Sequence, residues 1–139
     1  MADAEVLSLE IATPVGLALS TECESIAAPS VEGEFGVFPG HLPLLAALRA
    51  GVLKYRSGGK DLVAAVGPGF VEAGPSKVLL LTDSFARPED VDASKVQEEL
   101  TRAEERLAAL GSEHAAVDHD EIEREIEWAH ARLAIAERH

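Results

Sequence analysis

The chain has one cysteine, Cys23, so an internal disulfide and a cysteine-cluster metal site are both excluded. That fits a reducing compartment and leaves Cys23 the plain role of a small buried hydrophobe. Basic residues are also scarce. Against 25 Asp and Glu there are 12 Lys and Arg, a formal net charge of −13. Binding phosphates needs a basic face that displaces counterions, so no nucleic-acid partner is expected. Direct docking on anionic lipid is disfavoured for the same reason. Long hydrophobic runs are missing too: the longest uncharged stretch, Phe35 to Leu48, is interrupted by Pro39 and Pro43 and is too short to span a bilayer. Met1 to Glu10 carries three acidic residues and no basic stretch before an apolar core. No secretory leader is expected, and the chain should stay soluble on the side where it is made.

Catalytic signatures are equally sparse. There is no Gly-x-Ser-x-Gly elbow and no His-Glu-x-x-His, and Gly58-Gly59-Lys60-Asp61 lacks the spacing and the Ser/Thr of a phosphate loop. Gly67-Pro68-Gly69 reads as a turn, since Pro68 removes an amide that a phosphate would need. His114, Asp118, His119 and Asp120 contain metal-ligand types, but they read as a solvated stretch between helices, and no metal is expected. His41 sits between Gly40 and Pro43 with Glu34 as the nearest carboxylate in sequence. Holding its loop by a hydrogen bond is the plain reading, contact with a partner the second, and general-base chemistry the least supported.

What is present falls into two parts. All seven prolines lie at or before Pro88, and ten of the eleven glycines at or before Gly74. The expected division is 1–86 and 87–139. In the first part, Leu7, Leu9 and Ile11 alternate with Ser8 and Glu10, and Leu53 and Tyr55 with Lys54 and Arg56, the period of half-buried strands. Gly58-Gly59, Gly74-Pro75-Ser76 and Thr13-Pro14-Val15-Gly16 mark turns. The expectation is an antiparallel β-sandwich of about eight to ten strands.

After Pro88 the period becomes helical. Val96, Leu100, Ala103, Leu107 and Leu110 form one stripe, and Ile122, Ile126, Ala129, Leu133 and Ala136 a second. Asp92 is the expected N-cap of the first helix and Gly111 its stop, while Asp120 with Glu123 forms a capping-box pattern for the second. A linker over Ser112 to His119 would fold the helices into an antiparallel hairpin, so the fold class is α+β. Ordering a helical residue costs on the order of 1 to 2 kcal/mol, and each large apolar side chain returns roughly 2 to 3 kcal/mol when buried. The hairpin is therefore marginal alone and must lean on something. Trp128 and Ile135, off the main stripe, offer the second apolar face for that. Docked and released placements are both expected.

The stretch Glu32 to Leu45, followed by Leu48, Gly51-Val52-Leu53, Gly69-Phe70-Val71-Glu72 and Val78 to Asp83, resembles the epsilon subunit of F-type ATP synthases, whose pattern runs "G-E-x-G-x-x-P-G-H-x-P-L-L". The resemblance begins near Thr13-Pro14-x-Gly16 and covers nearly the whole chain. It implies a non-catalytic subunit of the central stalk, bound to the gamma subunit and the c-subunit ring, that couples rotation to ATP synthesis. It also implies helices that extend into the alpha/beta hexamer and restrain ATP hydrolysis. The location implied is peripheral, on the cytoplasmic face of a bacterial plasma membrane or the stromal face of a thylakoid, with membrane contact only through the complex. Glu34, Phe38, His41 and Leu42 are then the expected rotor-contact loop at the ring-facing end. Some family members bind ATP through "Ile/Leu-Asp-x-x-Arg-Ala" and arginines of the second helix. Here Val91-Asp92-Ala93-Ser94-Lys95-Val96 stands at the motif and Trp128 where an arginine is expected. A nucleotide-sensing hairpin built on Asp92, Lys95 and Arg132 is accordingly the alternative function, and otherwise no cofactor is expected. Arg102, Arg106, Arg124 and Arg132 are the candidate inhibitory contacts. From Ser84 onward, however, seven Lys and Arg face fifteen Asp and Glu, which argues against strong charge-driven inhibition.

Overall fold

A computed structural model describes residues 5–110 and 116–136. Ten strands precede two helices: β1 (Leu7–Thr13), β2 (Gly16–Cys23), β3 (Ser25–Ser30), β4 (Gly33–Val37), β5 (Leu44–Leu48), β6 (Gly51–Ser57), β7 (Lys60–Val66), β8 (Gly69–Ala73), β9 (Lys77–Thr82) and β10 (Phe85–Ala86), then α1 (Ala93–Ala109) and α2 (Ala116–Ala136). The strands form one sheet in the order β10-β7-β6-β3-β5-β8-β9-β1-β2, with β4 paired to β3. Between β3 and β5 the pairing is only Ser30 with Leu48, and there the sheet folds back on itself into two layers. Opposite that fold the layers meet again, where the Glu24 N–H donates to the Arg56 carbonyl at 2.7 Å and the Ser57 hydroxyl to the Glu22 carbonyl at 2.6 Å.

The alternation read from the sequence defines the core. Leu7, Leu9 and Ile11 of β1 point inward with Leu53, Val71, Val78 and Leu80, while Ser8 and Glu10 face out. Cys23 lies in this core, fully buried, and burial pushes its thiol up to about 11, with the Glu24 charge adding to the effect. Gly58 and Gly59 take positive φ in the two-residue turn between β6 and β7, and the Glu24 carboxylate accepts both of their amides at 3.2 and 2.9 Å.

One pairing departs from the antiparallel expectation. Strand β1 runs parallel to β9, with Leu9 opposite Val78 and Ile11 opposite Leu80. Alternation reports which face a residue takes and carries no information about a strand's neighbour, so this pairing was not readable.

The sandwich passes to the helices through Arg87, whose guanidinium donates to the Ala18 carbonyl at 3.2 Å and lies over the Phe85 ring. Asp92 caps α1 by accepting the Lys95 N–H at 3.3 Å, as expected. The start of the second helix is corrected. Helix α2 already includes Ala116, so Asp118, His119 and Asp120 belong to its first turns and the capping box at Asp120 does not form an N-terminus. Acidic residues suit the positive end of the helix dipole wherever they fall in those turns, which is why the pattern misplaced the boundary. Gly111 and half of the proposed linker, His114 included, lie outside the described residues.

Helices α1 and α2 pack through Val96, Leu100 and Ala129 with Val91, Ile126 and Leu133. Helix α2 in turn lies on the outer face of β6 and β7, where Ala131, Ile135 and Trp128 meet Val52, Val63, Ala65 and Ala86. The hairpin does lean on the sandwich, by the residues off its main stripe.

At the start of β8, Gly69 pairs with Thr82, whose buried hydroxyl donates to the Gly67 carbonyl at 2.8 Å. A Cβ on Gly69 would run into the Leu81 carbonyl, which is backbone, whereas one on Gly67 would meet mainly the Asp83 side chain, which can swing away. Gly69→Ala is expected to lower stability by about 1 to 3 kcal/mol. Urea unfolding should show the loss, with Gly67→Ala clearly closer to the parent.

Candidate functional site

The outer face of β5, β8, β9, β1 and β2 carries an exposed apolar row. Cross-strand register lines up Ala47 with Phe70, Phe70 with Leu81, Leu81 with Ala12 and Ala12 with Leu17, so one row of apolar side chains crosses five strands. Phe70 is 58% exposed, Leu81 50% and Leu17 63%. A strand face normally turns polar side chains to water, so such a row marks a surface built to be covered. Beside it, Leu45, Glu72, Leu79 and Lys77 border a groove of about 640 Å³ that reaches Pro43 and Gly74. The period of two is present along each strand here. Only the register, unseen in the sequence, turns separate residues such as Phe70 and Leu81 into one surface, and the sequence reading missed it.

The expected rotor-contact residues do not form one loop. Strand β4 separates them: Glu34 sits opposite Pro29, next to the β3–β4 turn, and its carboxylate pairs with Lys54 at 3.4 Å. That end of the sandwich also holds the β1–β2 turn, and there Val15 and Val31 protrude. Phe38, His41 and Leu42 lie at the opposite end, beside the β8–β9 turn. Here the Gly40 N–H, at a positive φ that favours glycine, donates to the Pro75 carbonyl at 2.7 Å, and the His41 N–H to the Phe38 carbonyl at 3.1 Å. These two backbone bonds hold the loop. The His41 Nδ1 is buried without a partner, while Phe38 and Leu42 project outward. A contiguous motif was read as one loop although its first half is a strand, and a strand of five residues carries its two ends well apart.

The helical candidates also separate. Glu99, Arg102, Arg106, Glu125, Trp128 and Arg132 line a groove of about 300 Å³ between the helices, whereas Asp92 and Lys95 lie outside it. Arg106 makes a two-pronged contact with Glu125 at 3.2 and 3.0 Å, and that hydrogen-bonded carboxylate raises its guanidinium pKa. Arg132 is turned toward Glu99, at 3.3 and 3.5 Å, and lies over the Trp128 ring. Arg102 and Arg124 are exposed. The Asp92 carboxylate is taken up by capping, and Arg132 by Glu99 and Trp128, so the three residues of the nucleotide reading do not converge.

The fold defines a β-sandwich protein with an appended helical hairpin docked on one of its outer faces. A family model described as "ATP synthase, Delta/Epsilon chain, beta-sandwich domain" matches residues 6–88, and the chain belongs to this ATP synthase delta/epsilon family. Relatives that run with it beyond the sandwich include epsilon chains. The ATP synthase epsilon chain of Nitratidesulfovibrio vulgaris (strain DP4) is 40% identical over 129 residues, covering 93% of this chain and 94% of the relative. ATP synthase epsilon chain 2 of Syntrophotalea carbinolica is 36% identical over 135 residues, 97% and 96% of the two chains. Among solved structures, a chain in the cryo-EM structure of the Euglena gracilis mitochondrial ATP synthase, OSCP/F1/c-ring in rotational state 1, shares the fold with a TM-score of 0.79 at 21% identity, over 100% of this chain and 84% of that one.

Because Asp92, Lys95 and Arg132 do not converge, titrating the chain with magnesium ATP is expected to give no saturable heat. A dissociation constant tighter than about 1 mM by calorimetry would contradict that expectation.

Proposed function

We propose that the chain is the non-catalytic epsilon subunit of the central stalk in an F-type proton-translocating ATP synthase, carrying rotation of the c-ring toward ATP synthesis. The observation that carries this reading is the apolar row Ala47, Phe70, Leu81, Ala12 and Leu17, bare on the isolated chain in a family whose members are ATP synthase subunits. The row is the face for the gamma subunit. Val15 and Val31, with Glu34 beside them, cap the sandwich end next to that row and meet the c-ring, so the two contacts adjoin. Phe38, His41 and Leu42, at the other end, extend the gamma contact through Leu45.

Location follows from assembly: the chain sits on the cytoplasmic face of a bacterial plasma membrane, held there by the complex. None of its described helices is long and apolar enough to cross a membrane. Released helices would meet the alpha/beta hexamer and restrain ATP hydrolysis only weakly. Their excess of carboxylates is the reason, together with the engagement of Arg106 and Arg132 in ion pairs while the hairpin is closed.

Phe70 is exposed, so Phe70→Glu should fold normally yet bind the rotor at least about tenfold more weakly, as a charge buried in an apolar interface does. Unchanged co-purification with gamma would refute the assignment of this face. In the assembled complex, a chain ending at Arg87 is expected to leave ATP hydrolysis nearly unchanged; a large rise would show the helices to be a strong brake.

A further inference from the structure

The hairpin carries two cross-helix ion pairs, and their surroundings differ. Arg106 and Glu125 are both about half exposed, the side chains at 56% and 51%. Arg132 is enclosed, its side chain only 16% exposed, and it has three attachments. Its Nε donates to the Trp128 carbonyl at 3.3 Å, its guanidinium lies 5.2 Å from the centre of the Trp128 ring, and its two terminal nitrogens reach the Glu99 carboxylate of α1. Trp128 in turn packs into the cluster of Ala65, Ala86, Ala131 and Ile135 that fixes α2 on the sandwich.

We infer that Glu99, Arg132 and Trp128 form a latch that makes docking of α2 on the sheet depend on α1 being folded back, with no bound ligand needed to close it. Glu99 is the removable part, since it stands on the other helix and is half exposed. When α1 swings away, a largely enclosed guanidinium loses its counter-charge, and leaving such a charge unpaired is costly. Arg132 must then turn to water, and Trp128 loses the cation stacked on its ring. Undocking of α2 and opening of the hairpin therefore proceed together, as two states of one unit rather than two independent steps. Arg106 and Glu125 close the same hairpin without touching the cluster on the sheet, and they supply the control. The latch is a property of the chain alone, so its test does not require the assembled complex.

Trp128 is the single tryptophan of the chain and reports the latch directly. Full-length Glu99→Gln and Glu125→Gln would be compared with the parent by tryptophan emission and by amide hydrogen exchange of Ile126 to Ala136. For Glu99→Gln the emission should shift to the red and exchange in this stretch should rise about five- to tenfold, the effect of losing one well-placed ion pair. Glu125→Gln should keep the parent emission, and the amides of β1 and β9 should exchange at parent rates in both variants. Parent-like emission and exchange in Glu99→Gln, or equal changes in the two variants, would overturn the latch. Should Glu99→Gln also loosen β1 and β9, Arg132→Lys decides by the same comparison, because it keeps the charge and loses the fork and the ring stacking.

Discussion

Helix α2 comes close to the sandwich because alanines meet it. Ala65 and Ala86 are paired neighbours on β7 and β10, and Ala131 is their counterpart on the helix. Methyl groups on both sides let the helix sit low enough for Ile135 to be completely buried and for Trp128 to cover the edge of the contact. The placement of the remaining helical residues follows from this contact. Once α2 is down, Ile126, Ala129 and Leu133 face away from the sheet and can receive Val96 and Leu100 of α1. With that seam formed, Arg106 falls opposite Glu125 and Arg132 opposite Glu99, in the inverse order that antiparallel helices impose.

The two outer faces of the sandwich obey one rule with different outcomes. Over β6 and β7 the outward side chains Val52, Val63 and Ala65 are apolar, and the chain covers them with its own helix. Over β8 and β9 the outward Phe70 and Leu81 are apolar as well, and none of the described residues covers them. A half-buried antiparallel sheet has no need of an apolar outer face. Two such faces describe a sandwich made to be flanked on both sides, once from within and once from outside.

Most of the fold was legible because burial and periodicity are local. Leu7, Leu9 and Ile11 announce β1, Gly58-Gly59 announces the hairpin of β6 and β7, and Trp128 with Ile135 signals a second helical face, all from spacing alone. The parallel neighbour of β1 was not legible, nor was the apolar row, since both depend on which strands lie side by side. The split between Glu34 and His41 was hidden by a motif that reads as one unit while crossing from strand to loop. The start of α2 was hidden by a run of acidic residues that suits several N-termini equally well.

The parallel pairing of β1 with β9 also bears on how the sandwich is made. The first strand can form its hairpin with β2 early, but its other edge has to wait for residues 77–81 to leave the ribosome. Until then Leu7, Leu9 and Ile11, the innermost side chains of the finished core, have only part of their shelter. Strand β1 is thus made well before the strand that encloses it, and until β9 arrives the nascent chain carries an open strand edge.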